Sequence, residues 1–161
     1  MKILVVDEDS SVRESLCWVF EDAGYEVLLA GDEFEAASIC MAQHIDLMVL
    51  DAALPLRIGW EPFERMTSRD PILPIILVTG HGDQFGLSVA AGVGAVLEKP
   101  LDPLKLLQTV QSLISEPADL RWRRVCGWGS DGRHIRFGGA VFLRKLREPS
   151  LRFRSVIAHR L

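Results

Sequence analysis

Four short apolar runs, each closed by a charged or hydroxyl residue, constrain this chain more than anything else in it. Ile3-Leu4-Val5-Val6 runs into Asp7 and Glu8, and Leu47-Met48-Val49-Leu50 into Asp51. Ile75-Ile76-Leu77-Val78 runs into Thr79, and Ala95-Val96-Leu97-Glu98 into Lys99-Pro100. Runs of this length suit strands buried on both faces of a parallel sheet. In an open α/β sheet, chemistry collects at the carboxyl ends of the strands. One sheet edge is therefore expected to hold three carboxylates, a hydroxyl and an ammonium, a set that suits a divalent metal and a phosphoryl group.

The segments between these runs read as helices, and the alternation up to residue 115 predicts βα units around a parallel sheet. A helix over 11–23 has Val12, Leu16, Val19, Phe20 and Ala23 on one face, Ser11 with Glu14 as a capping box, and Gly24 as its stop. Trp18 falls off that stripe and reads as half exposed or as part of a contact surface. A second strand covers 26–30, and Asp32 with Glu35 caps a helix ending near His44. Strand 46–50 follows, then a helix over 61–68 that admits Pro62 in its first turn. Pro71 and Pro74 close the loop before the next strand, and a short helix covers 84–91. After the strand at 95–97, Asp102 reads as an N-cap and Pro103 as N1, with Leu104, Leu107, Val110 and Leu113/Ile114 on one helical face.

The chain's 161 residues suffice for one domain with an appendage, and 48% apolar with 25% charged residues is ordinary for a globular protein. No apolar run approaches the roughly 20 residues of a membrane span, and the N-terminus enters a strand without a signal-peptide pattern. Cys17, Cys40 and Cys126 lack metal-ligand spacing, so a reduced cytoplasm is the expected compartment. The net charge of −4 conceals a split. Residues 1–117 carry 7 Lys+Arg and 19 Asp+Glu, while 118–161 carry 11 and 3. The expected division is a domain over 1–116 and a basic extension over 117–161, either docked loosely on the acidic domain or partly disordered.

A carboxylate on a loop after a strand can attack a phosphoryl group and form an acyl phosphate, provided positive charge neutralises the transferring group. Mg²⁺ needs only a few carboxylates, with water and phosphate completing its octahedron. Glu8 and Asp51 are the candidate ligands, with Asp7 acting directly or through water and the Ala53 backbone carbonyl as a further oxygen donor. Lys99 would contact a phosphoryl oxygen as a point charge, and the Thr79 hydroxyl would donate to another. Asp9 reads as a cap or solvent residue. His44 and His81 read as surface or cap residues, and Trp60 as a packing residue.

These residues resemble the receiver domain of two-component response regulators, over residues 1–116. The resemblance rests on Val-Val-Asp7-Glu8, Asp51 with Pro55 and Gly59 four and eight positions on, Val-Thr79-Gly80, and Glu98-Lys99-Pro100. It implies a flavodoxin-like doubly wound parallel sheet with strand order 2-1-3-4-5. It further implies Mg²⁺-dependent transfer of phosphate from a sensor histidine kinase or phosphotransfer protein to Asp51. Thr79, Gly80 and Lys99 would bind the phosphoryl group, and Pro55, Gly59 and Pro100 would shape the loops. Phosphorylation then biases a two-state surface around the last two strands and the helix between them, toward a downstream protein or a phosphorylation-linked dimer.

The chain departs from the family pattern at several points. Glu8 stands where a second Asp is usual, and Leu54 where Met commonly precedes the loop proline. Val96 stands where an aromatic switch residue is common, so no rotating ring reports the state of Thr79. The stretch from Asp83 to Lys99 is about two residues shorter than is typical of such domains.

Three other readings compete with the phosphorelay. Phosphohydrolases of the haloacid dehalogenase type share a strand-end Asp, Mg²⁺ and Lys, but place an acid two residues after the nucleophile. Here Ala53 occupies that position, so a long-lived acyl phosphate is expected rather than an enzyme's turnover. In a second alternative, a transcription regulator, the tail contacts DNA through basic residues interleaved with aromatics. Its glycine-rich turn at 127–132, its alternating 133–137 and 151–154 segments and one two-turn helix at 140–147 do not make a helix-turn-helix pattern. A third alternative is a receiver-like interaction module that never takes phosphate.

Overall fold

The computed structural model describes residues 1–54, 67, 69–80 and 93–125. Five parallel strands form one sheet: β1 (Lys2–Val6), β2 (Glu26–Ala30), β3 (Leu47–Asp51), β4 (Ile75–Thr79) and β5 (Gly94–Glu98). They lie in the order β2-β1-β3-β4-β5, the doubly wound flavodoxin-like arrangement expected from the sequence. Side chains alternate across the sheet, so every apolar run feeds two cores. Ile3, Val5, Leu47, Val49, Ile76, Val78 and Leu97 meet Leu16 and Phe20 of helix α1 (Ser10–Asp22) and Leu106, Val110 and Leu113 of helix α3 (Pro103–Ser115). On the other face, Leu4, Val6, Met48, Leu50, Ile75 and Leu77 meet Ala36 and Cys40 of helix α2 (Glu33–Ala42). Full burial of each large aliphatic side chain contributes about 1.5–3 kcal/mol.

The helix ends show how local chemistry sets the frame. Asp9, not Ser11, is the N-cap of α1, its side chain accepting from the Ser11 N–H at 2.8 Å. An aspartate at this position satisfies an otherwise orphaned donor, worth about 1 kcal/mol. At the other end, Gly24 sits at φ +83°, as its reading as the stop required. Gly24 N–H donates to Glu21 O at 2.9 Å and Tyr25 N–H to Phe20 O at 3.0 Å, the two bonds of a Schellman motif. The Phe20 and Tyr25 rings close it edge to face at 6.3 Å. Asp32 caps α2 through the Phe34 and Glu35 N–H groups, and Asp102 caps α3 through those of Leu104 and Lys105.

One helix face requires correction, and one helix was not expected. Leu104 does not belong to the buried stripe of α3: it is exposed, and Leu106 takes its place beside Val110 and Leu113. Beyond α3, residues 118–125 form helix α4 (Ala118–Val125), a helix that the sequence reading did not assign. Pro117 supplies the carbonyl that accepts from the Leu120 and Arg121 N–H groups, and Asp119 occupies the first turn. The proline just before it and the acidic first turn favour this helix, and Ala118, Trp122 and Val125 recur at helical spacing along it. The expected helices at 61–68 and 84–91, together with Pro55, Gly59, Trp60, His81, Asp83, Cys126 and the glycine-rich and alternating segments of the tail, lie outside the described residues. No helix among the described residues is long and apolar enough to cross a membrane.

Candidate functional site

Strand register brings the candidate residues to one edge. Val6 pairs with Leu50 in the β1–β3 ladder, so Asp7 and Asp51 emerge side by side. Asp51 pairs with Val78 across β3–β4, and Thr79 with Glu98 across β4–β5, which carries Lys99 to the same edge. Two backbone bonds continue the ladders past the strands, Ala52 N–H to Val78 O at 2.8 Å and Lys99 N–H to Thr79 O at 2.7 Å.

Asp7 is almost fully buried, with 4% exposure, and both of its carboxylate oxygens have donors. Oδ1 accepts from the Asp9 N–H at 2.9 Å, and Oδ2 from Lys99 Nζ at 3.1 Å. Lys99 Nζ also lies 3.8 Å from Asp51 Oδ2, an ion pair beyond hydrogen-bonding distance. Asp51 Oδ1 accepts from the Ala53 N–H at 3.2 Å. Two carboxylates thus share one ammonium in a partly dry pocket. A buried carboxylate is tolerated only when it is paired and hydrogen-bonded.

The other candidates divide. Thr79 is buried at the end of β4. Gly80 is exposed, and among the described residues nothing lies within 4 Å of where a Cβ would stand. Pro100 follows Lys99 through a cis peptide bond. Ala53 is exposed on the turn after β3, and Leu54 is buried in the core beneath α2. Val96 packs partly buried against that same core. Glu8 is exposed, and no three His, Cys, Asp or Glu side chains among the described residues form a ready metal cluster. The two carboxylates that do converge suit Mg²⁺, which is typically held by one or two carboxylates and completed by water and phosphate oxygens.

Sequence reading missed Arg13. Its guanidinium donates to Asp7 O at 2.6 Å and Glu8 O at 3.0 Å, and packs over Gly31. It clamps the turn that presents the acidic pair. The signal was its place in the first turn of α1, where the helix dipole disfavours a cation unless a specific contact holds it.

Residues 3–111 match the model of the response regulator receiver domain. The chain belongs to that family. Receiver domains are signalling modules of two-component systems. Among relatives, the transcriptional regulatory protein FixJ of Bradyrhizobium diazoefficiens is 33% identical over 120 residues, covering 72% of this chain and 58% of FixJ. The chain spans about half the length of the curated relatives it matches. Among solved structures, the chemotaxis response regulator CheY4 of Vibrio cholerae is similar with a TM-score of 0.61 and 32% identity, over 70% of this chain and 97% of CheY4. The response regulator TrrA of Thermotoga maritima, solved in complex with Mg²⁺ and BeF, gives a TM-score of 0.61 and 26% identity over 70% of this chain and 97% of TrrA.

Proposed function

We propose that this chain accepts a phosphoryl group on Asp51, with Mg²⁺, from a sensor histidine kinase or phosphotransfer protein, and passes the signal on by changing its protein contacts. The observation that carries this reading is the convergence of Lys99 Nζ on Asp7 at 3.1 Å and on Asp51 at 3.8 Å from a residue 92 positions away from Asp7. Asp51 Oδ2 is the attacking oxygen, since Oδ1 is engaged by the Ala53 N–H. It forms a bond to phosphorus as the bond to the donor's histidine nitrogen breaks, and the departing imidazole takes up a proton.

Asp7 and Asp51 hold the metal, with Glu8 and the Ala53 carbonyl as further oxygen donors. When bound, Mg²⁺ supplies the positive charge that balances the transferring group. Lys99 provides the second positive charge: a phosphoryl group on Asp51 competes with Asp7 for its ammonium. Thr79 and Gly80 take the remaining phosphoryl oxygens, and Pro55, Gly59 and Pro100 shape the loops. With Ala53 two residues after the acceptor, no side chain there assists an attacking water, which favours a lasting signal.

Residues 1–116 form the receiver unit, with α3 ending at Ser115, and 117–161 form a basic extension. Cys17 and Cys40 are free thiols, in keeping with a cytoplasmic location.

The test is exposure to a small phosphodonor, with Mg²⁺ and with EDTA, of the wild type and Asp51→Asn. The expected result is one phosphoryl group on the wild type with Mg²⁺ and none in the other three arms. A wild type that takes no phosphate under any donor would favour a module that signals by binding alone.

A further inference from the structure

The outer face of α1 carries a feature that the strand-end site does not use. Trp18 is 77% exposed, the most exposed of the large apolar side chains among the described residues. Glu14 lies one turn before it, and Glu21 and Asp22 one turn after it, all exposed. Residues three and four apart share a helical face, so these carboxylates border the indole. The one basic side chain of α1 is Arg13, and its guanidinium is engaged at the Asp7 and Glu8 carbonyls. Glu21 and Asp22 also stand at the negative end of the helix dipole, with no basic residue in that last turn. A bare indole and unfavourably placed anions are relieved by the same kind of visitor, a segment carrying both cations and apolar groups. Arginine serves both, because its planar guanidinium stacks on indole while pairing with carboxylates.

This chain contains such a segment. Residues 126–161 hold seven Arg and one Lys against one Asp and one Glu, with apolar and basic residues alternating at 133–137 and 151–154. The segment also starts on the correct side of the sheet. α3 shares a core with α1, and Arg121 of α4 donates to Ile114 O of α3 at 2.7 Å, holding α4 to the end of that layer. Extended, 36 residues reach on the order of 100 Å, far beyond the distance across one domain. Of the other exposed large apolar side chains, Phe34 and Met41 belong to α2 on the opposite face, and Leu104 and Leu120 to α3 and α4.

We propose that the arginine-rich segment 126–161 docks on the outer face of α1, over Trp18 and against Glu14, Glu21 and Asp22. α1 begins three residues after Asp7, so a segment lying along it flanks the approach to the strand-end site. The contact does not depend on phosphoryl chemistry and is tested without it.

The experiment is hydrogen exchange by mass spectrometry on the full chain, at low salt and at about 0.5 M salt, where the Debye length is only a few ångströms. Amides within 126–161 are expected to be protected at low salt and to lose that protection at high salt. Trp18→Ser should reduce protection about two- to fivefold, as the loss of an exposed cation–π contact implies. A triple variant, Glu14→Lys with Glu21→Lys and Asp22→Lys, should abolish it. Phe34→Ser should leave it intact. Far-UV circular dichroism and the milder Asp22→Asn, which should weaken protection partially, guard against a variant that misfolds. The proposal is overturned by a tail unprotected in the wild type or by protection indifferent to the α1 variants. Protection that grows with protein concentration would also overturn it, since the occupant would then be a second copy.

Discussion

The two ends of the sheet handle charge in different ways. At the amino ends, Lys2 is the hub. Its Nζ pairs with Glu26 at 3.0 Å and donates to Gln43 Oε1 at 3.0 Å, while its backbone N–H donates to Asp46 Oδ2 at 2.8 Å. His44 meets the other Asp46 oxygen at 3.3 Å. These carboxylates have separate donors and stay wetter, at 57% exposure for Glu26 and 27% for Asp46. At the carboxyl ends, the Asp7 and Asp51 side chains keep only 6% and 15% exposure and share one ammonium. The amino end is a clasp that ties β1 to its neighbours. Among the described residues, the carboxyl end gathers two carboxylates around one ammonium with less water, a condition that costs stability and that a divalent cation relieves.

The comparison is broken most severely by removing the proposed acceptor. Asp51→Asn should reduce phosphoryl uptake at least about 100-fold, the scale expected when a nucleophile is lost, while the urea midpoint shifts little or rises. Next, Asp7→Asn should weaken Mg²⁺ binding at least about tenfold, as loss of even an outer partner of a metal ligand does; calorimetric titration with Mg²⁺ reads it directly. Lys99→Ala leaves Asp7 buried without its cation and should cost about 1–3 kcal/mol in urea unfolding, discounted because Lys99 is one-third exposed. Added Mg²⁺ should restore part of that loss.

An alkaline titration sharpens the contrast by separating site from core. Burial pushes the Cys40 thiol up to about 11. The folded state then holds a proton that the unfolded state releases above pH 9, so stability is full below that pH and falls as pH rises toward 11. The expected loss is about 1 kcal/mol by pH 10, and Cys40→Ala should flatten this part of the curve without touching the strand-end carboxylates. The smallest effect belongs to the clasp. Lys2→Ala should cost about 0–1 kcal/mol for its exposed ion pair, with phosphoryl uptake unchanged.

Much of this was legible in the sequence because a buried parallel strand leaves little freedom of composition. The apolar runs ending at Asp7, Asp51, Thr79 and Lys99 located the strands to within a residue, and the same residues lie together at one sheet edge. Helix faces were harder to read. Leu104 and Leu106 are both apolar and two apart on α3, so spacing alone could not tell which faces the sheet; the observed stripe Leu106, Val110, Leu113 follows the helix axis as it packs beside α1. Glu8 and Asp7 are adjacent and chemically alike, and the turn after β1 decides that Asp7 is buried on the Asp9 N–H and Lys99 while Glu8 is exposed. The Arg13 clamp escaped because its partners are backbone carbonyls, which leave no trace in a motif of side chains.

The most direct measurement is to locate the label. Wild-type protein treated with a small phosphodonor and Mg²⁺ is digested, and the phosphoryl group is assigned by peptide mapping. The account predicts that it lies on the peptide containing Asp51 and that EDTA removes the signal. A label on the peptide containing Asp7 and Glu8, or one indifferent to EDTA, would contradict it.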